Sequence, residues 1–189
     1  MMKTDVDGNN TKAQMKDQLE RNEMGMGYRL DDAKVQEATR QLMNERGVSV
    51  KEIAELVYLL QEPYFDNLSL EECQRHVEQV LEKREVQNAI ITGIQLDILS
   101  EQGKLQSPLQ EMIANDESLY GCDEVLALSI INVYGSIGLT NFGYIDKIKP
   151  GVLKRLNDKH DGEIHTFLDD IIGAVAAAAS SRIAHTRRP

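Results

Sequence analysis

A run of nine residues near the carboxyl end of the chain, Ile171 to Ala179, carries no polar side chain. Nine residues are far too few to span a membrane as a helix, which takes about 20. A helix that is apolar on every side is instead buried on every side. Because most of these side chains are alanine, neighbouring helices can approach closely. We therefore expect a buried central helix at about residues 163–183, surrounded by other helices.

Two adjacent carboxylates, Asp169 and Asp170, stand at the edge of this apolar run. The expected helix start places them nearly two turns inside it. Neighbouring residues on a helix point about 100° apart, so both cannot face away from an apolar stripe that continues around the axis. Ionised carboxylates are costly to bury unless they are paired or bind a metal. One or both should therefore face protein.

The size and charge of the chain narrow its class. Its 189 residues suffice for one domain with a core that needs neither disulfides nor a structural metal. The net charge of −10 argues against nucleic acid as a general partner and against an anionic membrane surface. The basic end, Arg182 to Arg188, is a local exception that we interpret as a solvated tail.

The expected compartment is the cytoplasm. Residues 1–20 lack the apolar core of a signal peptide, and no window approaches the length of a transmembrane segment. Cys73 and Cys122 have no metal-ligand spacing and lie in apolar surroundings, which indicates buried free thiols in a reducing environment.

Helical periodicity and start signals dominate the first half. Apolar residues recur at spacings of three and four in residues 33–46, and Gly47 follows as a helix-ending glycine. Start signals precede three further helices at Ser49, Ser69 and Ser107. The first two are capping boxes, with Glu three residues later, and the third has Pro108 at the first helical position.

The helix that begins after Ser69 is long, since its apolar pattern continues to about Glu101. It would measure about 50 Å, so a break near Thr92-Gly93 is expected. Its internal run Glu82–Glu85, with the sequence EKRE, is interpreted as a solvated face with intrahelical ion pairs.

The second half of the chain has a different residue pattern. The segment Val125–Val133 is apolar except for two residues and predicts a second buried helix, followed by a loop with glycines at positions 135, 138 and 143. No stretch alternates with period two. We therefore predict an all-α protein, with residues 28–189 as a single domain and residues 1–27 as a flexible polar tail.

Five of the acidic residues in the region 119–183 stand out, and they fall in three places: Asp123-Glu124, Asp146 and Asp169-Asp170. Structural alternatives exist. Asp123 would serve as a helix N-cap, with Glu124 favoured by the helix dipole, and Asp146 would cap the turn that follows it. This explanation is weaker for the pair inside the central helix.

Carboxylates without His or Cys among them match a hard cation, Mg²⁺ or Mn²⁺, better than zinc. Such ions mostly serve phosphate chemistry. Lys149 is a suitable point charge for phosphate beside them. His160 and His165 have the chemistry to donate a proton, although we interpret both as surface residues. The chain contains no Walker motif, nucleophile elbow or GxGxxG.

The stretch from Asp123 to Gly173 resembles the phosphatidylglycerophosphatase A family. Three segments carry the resemblance: Cys122–Val125 matches a Trp-Asp-Glu-Phe segment, Ile145–Pro150 matches Leu-Asp-x-x-Lys-Pro, and Leu168–Ala174 matches an Asp-Asp segment. The last two lie at the family's spacing. The family's N-terminal Gly/Pro/Thr/Ser-rich segment, its tryptophans and its membrane helices are not visible here.

The resemblance implies a Mg²⁺-dependent phosphatase. The implied metal ligands are Asp123, Glu124, Asp146, Asp169 and Asp170, of which the four aspartates would be catalytic. Lys149 would bind substrate, as would Lys154, which stands near the position of a family arginine. The resemblance implies metal binding more strongly than it implies a lipid substrate. Where the family has membrane helices, this chain has a helical half with the pattern of a soluble protein.

We therefore predict Mg²⁺- or Mn²⁺-dependent hydrolysis of a phosphomonoester, either phosphatidylglycerophosphate or a soluble ester, by a homo-oligomer without a transmembrane segment. The alternative is a non-catalytic helical protein that keeps a structural or regulatory cation site and acts through self-association. The missing N-terminal segment favours this alternative, whereas the spacing of the acidic motifs favours the enzyme.

Overall fold

The fold is built around one helix that runs from Leu168 to Thr186. The computed structural model of the protein describes residues 31–158 and 162–187. In chain order the helices are α1 (Asp32–Glu45), α2 (Val50–Gln61), α3 (Leu70–Leu81), α4 (Arg84–Glu101), α5 (Leu109–Asn115), α6 (Cys122–Ile131), α7 (Gly135–Ile148), α8 (Val152–Asn157) and α9 (Leu168–Thr186). A 3₁₀ turn, Asn132–Tyr134, separates α6 from α7. The described residues contain no strand, so the all-α prediction is confirmed.

Helix α9 is buried on all sides, as the apolar run predicts. Every residue from Leu168 to Ser181 is buried. Six helices pack against α9: α2, α3, α4, α6, α7 and α8. Val35–Pro189 forms one compact unit. The predicted tail at residues 1–27 lies outside the described residues, so the domain boundary stays a prediction.

The Ser49 capping box forms as predicted. The backbone N–H of Glu52 donates to Ser49 Oγ at 3.2 Å, and the N–H of Ser49 donates to Glu52 Oε2 at 2.9 Å. The box at Ser69 is half formed, because its hydroxyl accepts from the Glu72 N–H while the Glu72 carboxylate pairs with Arg187. The basic end, Arg182 to Arg188, is therefore not a solvated tail as far as Arg187.

The start signal at Ser107 precedes a real helix, but the serine does not cap it. Pro108 takes the N-cap position of α5 without a side-chain hydrogen bond. The amide of Gln110 instead donates to the Ser100 carbonyl at 2.9 Å, which ties α5 to the end of α4.

The long helix of the first half breaks at Glu82-Lys83 rather than at Thr92-Gly93. The EKRE run therefore spans a helix junction instead of one helix face. Gly93 lies inside α4, where a Cβ would stand 2.2 Å from Ile171 Cδ1 and 2.9 Å from Phe167 Cβ. The glycine is needed for close packing of α4 on α9 and does not break the helix.

Two predictions for the second half are wrong. The segment expected to be a second buried helix is partly exposed, with Val125 66% and Val133 55% exposed. The glycine-bearing segment is helix α7 rather than a loop. Gly138 faces the protein, where a Cβ would lie 3.1 Å from Ile131 Cγ2. Packing thus overrides the low helix propensity of glycine.

The segment Cys122–Ile148 also departs from the expectation that no window approaches the length of a transmembrane segment. Its 27 residues are long and apolar enough to cross a membrane by length and composition, with a mean hydropathy of 1.5 over an 18-residue window, of which 33% is buried. In this fold Gly135, with φ of +71°, separates the segment into α6 and α7.

Helix α9 begins at Leu168, five residues later than predicted. The backbone before it is bonded to side chains from other helices. Arg46 Nη2 donates to the Ile164 carbonyl at 2.7 Å, and the Ile164 N–H donates to Glu101 Oε1 at 2.8 Å. Asp169 and Asp170 therefore lie in the first turn of α9 and not two turns inside it.

Both cysteines are free thiols, as predicted, but their positions differ. Cys73 is buried, whereas Cys122 is exposed at the start of α6, which corrects the expectation that both are buried.

Candidate metal centre

Three helix ends bring the five predicted carboxylates together. Asp123 and Glu124 lie in the first turn of α6, and Asp169 and Asp170 lie in the first turn of α9. Asp146 lies in the last turn of α7 and not in a loop. Because α6 and α7 both pack on α9, these ends meet at one place.

Three of these residues form a tight group. One oxygen each from Asp123, Glu124 and Asp170 lies within 4.8 Å of the other two. Asp123 and Asp170 are 7% and 6% exposed, while Glu124 is exposed. The buried Oδ1 of Asp123 has no hydrogen-bond partner among the described residues. Asp123 is not the N-cap of α6, because Gly121 holds that position.

Lys149 connects the remaining carboxylates. Its Nζ lies 2.7 Å from Asp146 Oδ1, 2.7 Å from Asp169 Oδ2 and 3.4 Å from Asp170 Oδ1. Burial opposes the charge on Lys149, but these carboxylates outweigh it and raise its pKa. Lys149 is thus in contact with three of the five carboxylates.

The backbone at Lys149 explains how its side chain reaches this position. Lys149 ends α7 with φ of +42°, a left-handed conformation that is strained for a residue with a side chain. Pro150 disfavours the right-handed helical conformation at the residue before it, so the helix ends there. The Lys-Pro pair therefore ends α7 beside α9.

Burial raises the pKa values of the acidic groups. Burial, with the neighbouring Asp169 carboxylate, raises the pKa of Asp170 to about 8, against the opposing effect of Lys149. Burial and Glu124 raise the pKa of Asp123 to about 6, and burial raises the pKa of Asp169. One lysine does not compensate for the desolvation and mutual repulsion of this cluster.

Asp97 on α4 is the important residue that sequence reasoning missed. It is fully buried, and its carboxyl accepts from the N–H groups of Phe167 and Leu168, each at 3.1 Å. These N–H groups stand at the start of α9, so a side chain from another helix caps it. Burial raises the pKa of Asp97 to about 8, and Asp169 adds to the effect.

A signal for Asp97 is present in the sequence. It follows Ile90 and Ile94 at helical spacing, so the apolar face of α4 contains a lone carboxyl group. Such a group needs a partner when it is buried.

The other predicted residues have different surroundings. Lys154 is exposed on α8, and the described contacts include none between its side chain and the acidic cluster. Its neighbour Arg155 donates to Glu52 at 2.9 Å. His165 is not a surface residue, since its side chain is 7% exposed and its Nδ1 lies 3.0 Å from the Leu156 carbonyl oxygen. His160 lies outside the described residues.

The donor set determines what this site can bind. It offers carboxylate oxygens without nearby thiolates, and its buried Asp123 oxygen lacks a donor. Hard divalent cations prefer such oxygen ligands. The roles of the five carboxylates as metal ligands stay a prediction.

Comparisons with known proteins agree with this arrangement. The protein YutG of Bacillus subtilis is 66% identical over 149 residues, which are 79% of this chain and 90% of YutG. A solved structure of a Bacillus stearothermophilus protein of unknown function is 62% identical, with a TM-score of 0.79, over 81% of this chain and 95% of that one. The low temperature requirement C protein of Listeria monocytogenes is 60% identical, with a TM-score of 0.78, over 80% and 96% of the two chains. The phosphatidylglycerophosphatase A family matches residues 45–185 and so includes all three acidic segments. The chain therefore belongs to the phosphatidylglycerophosphatase A family.

Proposed function

We propose that the protein is a Mg²⁺- or Mn²⁺-dependent phosphatase that hydrolyses a phosphomonoester. The observation that carries the proposal is the group of Asp123, Glu124 and Asp170 oxygens within 4.8 Å of one another, at the place where the family's acidic segments meet. The two free thiols fit a reducing compartment, and we place the protein in the cytoplasm.

The residues present fit such a cation. Oxygens that share one Mg²⁺ at about 2.1 Å lie at most about 4.2 Å apart, so small side-chain shifts bring the three carboxylates into range. Asp123 Oδ1 has a free lone pair, and burial together with the Asp169 carboxylate raises the pKa of Asp170, which a divalent charge would offset. A bound Mg²⁺ would polarise phosphoryl oxygens and activate water.

The remaining groups of the cluster would bind the phosphate or hold the helix ends in place. Lys149 presents its ammonium beside three carboxylates, so a phosphate bound to it would lie next to the cation-binding oxygens. The side chain of Asp146 is 39% exposed and stands at the edge of the cluster, where it contacts Lys149. Asp97 holds the start of α9, and with it the Asp169-Asp170 pair, in place.

The substrate is phosphatidylglycerophosphate or a soluble phosphomonoester. A panel of both kinds, assayed with and without Mg²⁺, tests the proposal. We expect metal-dependent phosphate release that falls by about 10²-fold or more in Asp170→Asn, because that change removes a cation-binding and proton-holding group. Asp158→Asn, an exposed aspartate on the same chain, is the matched control and should keep full activity.

The absence of hydrolysis across the panel with both metals would contradict the proposal. So would equal activity of Asp170→Asn and the wild-type protein.

A second candidate is a non-catalytic protein that keeps the cation site and acts through self-association. The observation in its favour is the apolar surface that α6, the 3₁₀ turn and α7 expose through the side chains of Val125, Val133, Leu139, Tyr144 and Ile148. No charged residue occurs between Val125 and Ile145, so this surface lacks the charge that covers most soluble proteins.

Light scattering separates the two candidates when it is combined with the assay. We expect the wild-type protein to be a dimer or a multiple of one at micromolar concentration, and Leu139→Glu with Tyr144→Glu to shift it toward monomer. Cation-dependent assembly without hydrolysis of any ester would favour the second candidate. A monomeric wild-type protein would exclude self-association.

A further inference from the structure

A second charged site lies at the other end of α9. A cavity of about 490 Å³ is lined by Lys83, Val133, Tyr134, Gly135, Arg182, His185 and Thr186, and we name it the basic pocket. The pocket lies between Lys83 of the Glu82–Glu85 run and the basic end of the chain. Arg182 is twelve residues beyond Asp170 on α9, which is about 18 Å along the axis. The basic pocket is therefore separate from the metal centre.

Arg182 differs from the arginines that form ion pairs, because its described side-chain partner is a neutral amide. Four arginines pair with a carboxylate: Arg40 with Glu78, Arg46 with Glu101, Arg155 with Glu52 and Arg187 with Glu72. Arg182 instead donates from Nη2 to the neutral amide of Gln79 at 2.6 Å. Its buried Nε has no hydrogen-bond partner within the described residues. The charge of Arg182 is thus left without a described counterion.

Tyr134 also lines the pocket, but its hydroxyl is buried and solvent does not reach it. The residue is 8% exposed, and its buried hydroxyl has no partner within residues 31–158 and 162–187. Burial and nearby Glu85 raise the pKa of this phenol, against the opposing effect of Arg182. The hydroxyl therefore stays protonated at neutral pH and adds no negative charge beside the pocket.

Lys83 completes the charge of the pocket. Its Nζ lies 5.5 Å from the centre of the Tyr134 ring. The helix dipole favours Arg182 and His185 near the carboxyl end of α9 but disfavours a cation at Lys83, which is the N-cap of α4. The dipole therefore does not explain why a lysine stands here.

We propose that the basic pocket binds a phosphate-bearing anion through Lys83 and Arg182. Phosphate carries nearly two negative charges near neutral pH, which match the two fixed cations, whereas a carboxylate would neutralise only one. The phosphate belongs either to the free inorganic ion or to an organic phosphomonoester. The site is independent of the metal centre and of its proposed reaction.

Calorimetric titration of the full chain in EDTA tests this proposal, because removing divalent ions prevents phosphate from binding at the acidic cluster. Inorganic phosphate, glycerol 3-phosphate and acetate are the three probes. We expect millimolar binding of a phosphate probe, weakened about tenfold or more in Lys83→Gln and Arg182→Gln. Lys104→Gln removes an equal charge from an exposed loop and should bind like the wild-type protein.

Equal affinity for the two phosphate probes identifies the free ion as the ligand, and tighter binding of glycerol 3-phosphate identifies an ester. Unchanged binding in Asp170→Asn separates the pocket from the metal centre. Circular dichroism checks that the variants fold. The proposal is overturned if no phosphate probe binds at about 10 mM, if acetate binds equally well, or if all lysine and arginine variants bind alike.

Discussion

The two ends of α9 carry opposite charges under different degrees of burial. At its amino end, Asp169 and Asp170 are almost fully buried, and both share Lys149 with Asp146. At its carboxyl end, His185 and Thr186 are exposed. The helix dipole favours both arrangements equally, so it does not account for the difference.

Burial accounts for it. Desolvation raises the pKa values of the carboxyl groups at the amino end, and one ammonium relieves only part of the repulsion. At the carboxyl end, solvent screens the charges. The amino end is therefore suited to a strongly bound divalent cation and the carboxyl end to a weakly bound anion. The apolar run Ile171–Ala179 separates the two.

The largest expected effect is the response of the amino end to metal. A cation that binds only the folded protein stabilises it by about 2.7 kcal/mol at a hundredfold excess over its Kd. Mg²⁺ or Mn²⁺ should raise the melting temperature, and Asp169→Asn or Asp170→Asn should remove most of this rise. Asp158→Asn should retain it. If millimolar metal does not change the melting temperature, the proposed difference between the two ends is contradicted.

The second effect concerns the packing that positions the amino end. Gly93→Ala places a Cβ against Ile171 and Phe167, and we expect the free energy of unfolding to fall by about 2 kcal/mol. Gly143→Ala in α7 is the matched control, since a Cβ there meets nothing within 4 Å. It should stabilise the protein by up to about 1 kcal/mol through helix propensity. Urea denaturation measures both, and equal effects would contradict the packing argument.

The third effect is a pH dependence. The pKa of Asp170 is about 8 when folded, against about 3.9 when unfolded, so between these values the folded state holds the extra proton. Stability without metal should therefore fall as pH rises from 5 to 8, relative to Asp170→Asn, by at most about 1.4 kcal/mol per pH unit.

Denaturation in EDTA at several pH values measures this difference. Asp158→Asn should follow the wild-type curve, and saturating Mg²⁺ should flatten the difference. Wild-type stability that rises with pH over this range, relative to Asp170→Asn, would have the wrong sign for a buried carboxyl group.

The smallest effect belongs to the carboxyl end. Arg187 pairs with Glu72 at the surface, and Arg187→Gln should lower the melting temperature only slightly. Salt at about 0.5 M should have the same effect on the wild-type protein and little on the variant, because it screens exposed pairs. A loss as large as that of Gly93→Ala would show that the two ends are equally buried.

Local signals predicted most of the helices. The Ser49 capping box and the Gly47 stop depend on residues within a few positions of one another, and both form as predicted. The segment with glycines at 135, 138 and 143 failed as a loop because its packing against α9 outweighs a propensity cost of about 1 kcal/mol per glycine.

The acidic residues of the site were also predictable, because Asp146 and the Asp169-Asp170 pair stand in segments that resemble a family at its own spacing. Their environment was not predictable in the same way. The late start of α9 results from Arg46 and Glu101, which bind the backbone of Ile164 from distant positions in the chain.

Sequence alone thus specified an all-α chain with one wholly buried helix, since a run such as Ile171–Ala179 has no polar side to expose. Tertiary packing decided which distant groups meet: Asp97 with the first turn of α9, Lys149 with the carboxylates, and Lys83 with Tyr134. The reason is physical. Capping and periodicity act over about one helical turn, whereas burial, and with it the pKa of a carboxyl group, depends on every element packed around it.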